Sequence, residues 1–70
     1  MRYEVVFHSD NTATIYFCSG RADQHNLPII REKTMHYLTA LKWMTRQGIR
    51  WQWRENPITG ESAAWGAEGA

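Results

Sequence analysis

Cys18 and the three histidines His8, His25 and His36 are the side chains best suited to act as nucleophile, base or metal ligand. Their spacing supports none of those roles. No subset is separated as zinc ligands are, no glycine-rich loop offers a phosphate cradle, and the carboxylates stand singly rather than in pairs that could divide acid and base work. Cys18 and His8 share one side of a pair of strands, but the register that keeps the apolar residues together puts His8 opposite Thr14 and Cys18 opposite Glu4, at opposite ends of a hairpin. A thiol without a base beside it is an inert strand residue. The sequence therefore reads as non-enzymatic, with no catalytic residue, no metal site and no cofactor.

Two surfaces remain as candidate sites. The first is the outer face of a helix expected over residues 29–47. At about 100° per residue, Ile30, Thr34, Tyr37, Leu38, Leu41, Met44 and Thr45 fall in one stripe that should lie on the core. Trp43 then points away from the core beside Met35, His36, Thr39 and Arg46. An indole among Met, His and Arg has the composition of a protein-interface anchor. The bland alternative is that the C-terminal arm, through Ile58 or Trp65, folds over Trp43 and covers it. The second surface is the uncovered face of a sheet, carrying Glu4, Val6, His8, Thr14, Tyr16, Arg50, Gln52 and Arg54. A ring between guanidinium groups on an open sheet is how single-stranded nucleic acids are stacked and held, which makes Tyr16, Arg50, Gln52 and Arg54 the alternative site.

Positioning these side chains requires strands on either side of the helix. Residues 2–8 alternate with Tyr3, Val5 and Phe7 on one side, and residues 13–18 alternate with Ile15 and Phe17. Joined by the turn at 9–12, they form a hairpin. Placing Phe7 opposite Ile15 and Val5 opposite Phe17 keeps both apolar sets on one face. Residues 19–26 are a polar connector, with Asn26 as helix N-cap and Pro28 in the first turn. Gly48 supplies a left-handed C-cap, with Arg46 favourable against the negative helix end. Residues 49–54 alternate again, with Ile49, Trp51 and Trp53 inward; two indoles on one short strand are a large load for a single helix, so one should reach the rim. Turn chemistry at 56–60 then leads to a short fourth strand at 61–65. The expected fold is α+β: an antiparallel sheet of three to four strands, in spatial order 2-1-3-4, with one helix packed on one face. It forms a single domain over residues 1–65, and 66–70 are a flexible tail.

Composition narrows the class further. Seventy residues are near the size where one core only just suffices, and four Trp, three Tyr and two Phe supply the bulk in place of disulfides. A single cysteine fits a reducing, cytoplasmic setting, and no apolar segment is long enough for a secretion signal or a membrane span. The net charge of +1 does not mark a dedicated nucleic-acid binder. The bases nevertheless concentrate in the middle (Arg31, Lys33, Lys42, Arg46, Arg50, Arg54) and the acids Glu55, Glu61 and Glu68 towards the end. The expectation is a small regulator or inhibitor, of the phage or bacterial accessory kind by size alone, that docks an aromatic-basic surface on a protein partner. Homodimerisation over the aromatic excess is the alternative to a foreign partner.

Overall fold

The structure is a computed structural model that describes residues 2–18 and 29–68. Its elements run in the order β1 (Arg2–Phe7), β2 (Thr12–Cys18), β3 (Ile29–His36), α1 (Tyr37–Gln47), β4 (Gln52–Glu55) and β5 (Ser62–Ala67). The five strands form one antiparallel sheet in the order β3-β2-β1-β5-β4, and α1 packs across one face of it. The α+β class agrees with the sequence reading, as does the presence of one helix among the described residues. Strand number and order do not: the expected three to four strands in order 2-1-3-4 lack the strand that now forms one edge.

That missing strand is the first half of the expected helix. Residues 29–36 are extended, and α1 begins only at Tyr37. The segment has no apolar alternation to announce a strand, because neither side of it is deeply buried: seven of its eight residues are exposed. Arg31, Glu32 and Lys33 are also good helix formers, so local preference pointed the wrong way and pairing with β2 decided the matter. His36 takes the N-cap in place of Asn26, its Nδ1 accepting from the Leu38 N–H at 3.2 Å. Asn26 and Pro28 lie outside the described residues, as does the connector 19–26. At the other end Gly48 is the left-handed cap that was expected, at φ 64°.

The hairpin register differs from expectation by two residues. Val5 stands opposite Ile15, Tyr3 opposite Phe17 and Phe7 opposite Ala13. The His8 N–H donates to the Thr12 carbonyl at 2.8 Å, and Asn11 adopts φ 66°, closing a tight loop whose last residue is left-handed. A shift of two preserves every side chain's face, so the faces were right where the pairing was not.

Entering α1 from an edge strand also changes the second half of the sheet. β4 starts at Gln52 rather than Ile49 and forms the opposite edge, while β5, the strand expected at 61–65, pairs with β1 in the middle of the sheet. Residues 66 and 67, expected in a loose tail, are part of that central strand. Beyond it the Tyr3 hydroxyl donates to the Glu68 carboxylate at 2.9 Å. Between helix and β4 the backbone crosses Gly66 so closely that a Cβ there would stand 3.0 Å from Ile49 Cδ1 and 3.1 Å from the Arg50 carbonyl oxygen. A side chain there would require the crossing segment to give by a few tenths of an ångström.

The core gathers Val5, Ala13, Ile15 and Ala64 from the sheet with Ala40 and Met44 from α1. The helix is thus turned from its expected orientation. Ala40, Trp43 and Met44 face the sheet, whereas Tyr37, Leu38, Leu41 and Thr45, members of the expected core stripe, are exposed. Ile30 and Thr34, also assigned to that stripe, are exposed positions of β3.

Candidate functional site

Trp43 is not stranded outside. It is half-buried and packed against the core, edge-on to Tyr3 with ring centroids 5.1 Å apart, to Phe17 at 5.8 Å, and tilted against Trp51 at 5.9 Å. The cover comes from the sheet and from Trp51, with neither Ile58 nor Trp65 taking part: Ile58 is 92% exposed and Trp65 faces the other side of the sheet. Trp51 is fixed in turn, its indole N–H donating to the Met44 carbonyl at 3.2 Å. Of the two indoles expected on one strand, Trp53 is the one at the rim, 55% exposed and stacked on Phe7.

The rest of the expected interface patch is dispersed. Met35 belongs to β3, opposite Ala13, and joins the core margin. His36 is the helix cap and lies against the Tyr37 ring, with centroids 4.7 Å apart. Thr39 and Arg46 are exposed on α1. The helix presents to solvent Tyr37, Leu38 and Leu41, with Lys42, Thr45 and Arg46. Leu38 is 49% exposed. Periodicity marks this stripe clearly, but a helix begun eight residues too early turns it towards the core.

Charge is divided between the two sides of the sheet. Arg31 and Lys33 stand opposite Phe17 and Ile15, hence on the helix side, where Arg31 lies over the Phe17 ring with its guanidinium carbon 5.5 Å from the centroid. Lys42 and Arg46 add to them from α1. On that side stand Glu55, on the far edge strand, and Glu68, already engaged by Tyr3. On the other side Arg2 and Arg54 stand with Glu4, Glu32 and, beside His8, Glu61.

The open face brings together most, not all, of the alternative site. Registers across the sheet align Glu32, Tyr16, Glu4, Trp65 and Gln52 in one row, with Thr34, Thr14, Val6, Ala63 and Arg54 in the next. Tyr16, Gln52 and Arg54 share this face, but Arg50 belongs to the segment crossing Gly66. The Tyr16 ring stands between two carboxylates, a poor setting for a phosphate. The guanidinium of Arg54 instead covers Trp65 at 4.8 Å, a platform the sequence reading missed because it assigned no side to the last strand.

One polar chain on this face has the residue types of a catalytic relay. Glu61 Oε2 meets His8 Nδ1 at 3.0 Å, His8 Nε2 meets Thr14 Oγ1 at 2.9 Å, and Thr14 Oγ1 meets Thr34 Oγ1 at 3.0 Å. Acid, base and hydroxyl are in order, but a nucleophile also needs access and nearby donors for the developing oxyanion. Thr14 is 6% exposed and sits between two paired strands, whose backbone donors serve the ladders. The chain acts as a polar strap, tying the ends of β1, β2 and β3 to the residue before β5. Cys18, opposite Arg2 rather than the expected Glu4, lies at the far end from His8; burial, then the Glu4 charge, push its thiol up, with Arg2 opposing. Among the described residues no group of three or more His, Cys, Asp or Glu is placed to hold a metal ion, and no helix is long and apolar enough to cross a membrane.

In comparisons with protein families, curated proteins and solved structures, the chain matches none.

Proposed function

We propose that the chain is a small non-enzymatic binding protein, a regulator or inhibitor that docks the exposed side of α1 on an acidic surface of a protein partner. One observation carries the reading. The helix exposes Tyr37, Leu38 and Leu41, contains Lys42 and Arg46 but no acid, and lies on the sheet side that also holds Arg31 and Lys33. Apolar anchors inside a rim of one charge sign are the arrangement by which interfaces combine tight packing with electrostatic guidance. The same charges disfavour a symmetric pairing of two helices, since Lys42 and Arg46 of one copy would face those of the other.

The test is a comparison of complexes formed in lysate of the source cell. The native chain should retain one protein at stoichiometric amounts, and Leu38→Ala with Leu41→Ala should weaken that complex by about 2–4 kcal/mol in all. Lys42→Glu with Arg46→Glu should slow association and reduce its salt dependence. A partner that holds both variants as tightly as the native chain would refute the assignment. Binding of single-stranded oligonucleotide at low salt, abolished by Arg54→Ala, would favour the open face instead.

A further inference from the structure

The two edges of the sheet are not alike. β4 is four residues long, whereas β3 spans eight and is the longest strand. Proteins normally blunt a long edge because its unpaired backbone groups invite another strand. Here β3 is long and free of proline, and a register shift between Phe17 and Cys18 leaves Ile30 as a bulge, so the regular edge runs from Arg31 to His36; Ile29 and Ile30 before it are 59% and 56% exposed. Its middle carries an alternating code: Arg31 and Lys33 on the helix side, Glu32 on the other.

That code disfavours a second copy paired through its charged middle. Strands that add edge to edge keep their faces only when opposed positions share parity. Antiparallel self-pairings centred on this charged middle place Glu32 opposite Glu32, or Lys33 opposite Lys33, of the other copy. Like charges directly opposed destabilise a ladder, and opposite charges support it.

We propose that the edge of β3 accepts an extended segment of a different protein as a sixth, antiparallel strand. The segment carries an acid opposite Arg31, a base opposite Glu32 and an acid opposite Lys33, and ends in β-branched apolar residues that reach the exposed Ile30 and Ile29 at the bulge. Backbone pairing supplies affinity and the acid-base-acid alternation fixes register and partner. This surface shares the charges of Arg31 and Lys33 with the docking proposed for α1 but not its apolar anchors, and its occupation does not require that docking.

The experiment titrates the isotope-labelled chain with the synthetic peptide Thr-Val-Thr-Glu-Lys-Glu-Val-Ile, followed by amide chemical shifts and hydrogen exchange. The control peptide exchanges the charges, as Thr-Val-Thr-Lys-Glu-Lys-Val-Ile. Expected are shifts concentrated in β3, slowed exchange of its outward amides, and binding at least about tenfold tighter than the control. Arg31→Glu, Glu32→Lys and Lys33→Glu combined should invert the preference; if that variant does not fold, the two peptides on the native chain still decide. Leu38→Ala with Leu41→Ala should leave peptide binding unchanged, which separates this result from the fate of the helix surface. Equal binding of both peptides, shifts centred outside β3, or a self-association that protects the β3 amides would overturn the proposal.

Discussion

Tyr3 shows how much one residue near the start of the chain is asked to do. Its ring is the hub of the aromatic cluster, touching Phe17, Trp43 and Trp51, while its hydroxyl reaches Glu68 across the central strand pair. Burial, then the hydrogen bond and the charge of Glu68, raise its phenol above the ordinary value of 10.0. A group whose folded value is raised contributes its full stabilisation below the unfolded value and loses it as pH climbs through the folded one. Unfolding free energy should therefore fall above about pH 10, and Tyr3→Phe should flatten that fall while costing about 1 kcal/mol at neutral pH. Denaturant titrations of both proteins between neutral and alkaline pH decide it; an alkaline decline of equal slope in the variant would remove Tyr3 as the cause. At this scale the sequence was partly legible. Alternation correctly put Tyr3, Val5 and Phe7 on the inner face and left one of the paired indoles at the rim. Trp43 was misplaced because its direction depends on the helix phase, and the small Ala40, which fixes that phase with Met44, adds little to a count of large apolar residues.

At the scale of elements, caps proved easier to read than starts. Gly48 is needed for its backbone and not for space. It sits at φ 64°, and a Cβ there would touch nothing within 4 Å. Gly48→Ala should thus cost about 1 kcal/mol, all of it conformational, with no change in the core aromatic signals. Near-ultraviolet circular dichroism together with denaturant midpoints would show this. A loss several times larger would mean that the cap orders more than the end of α1. The start of α1 was hidden because Ile30 and Thr34 continue the helical spacing of Tyr37 and Leu41 and Arg31, Glu32 and Lys33 are good helix formers, yet residues 29–36 fold as a strand whose partner, β2, is supplied by another part of the chain. An exposed edge strand has no face it must bury, so hydropathy carries no trace of it. The proposed binding edge was illegible for the same reason.

At the scale of the molecule, the two ends of the described chain meet in the centre of the sheet. β1 is flanked by β2 and β5, so its pairing with β5 closes a loop spanning nearly the whole sequence. Such a contact is entropically costly to form, and without it β5 and β4 have no ladder to the rest of the sheet. Residues 66 and 67, expected to fray, are therefore structural. Deleting 68–70 should cost about 1 kcal/mol, the share of the Tyr3 hydrogen bond. Deleting 66–70 also removes the Gly66 crossing and the pairs Tyr3↔Gly66 and Arg2↔Ala67, and should take several kcal/mol from a total stability on the order of 4–10 kcal/mol. Deleting 62–70 should leave no cooperative transition at all. Ile58→Ser, in the exposed turn between β4 and β5, should change stability by less than about 0.5 kcal/mol, although it alters a large apolar residue only a few positions away. The order of these four variants in a denaturant titration tests the sheet topology directly. If the chain cut at residue 61 unfolded with an undiminished midpoint, β5 could not be the strand that joins β1 to β4.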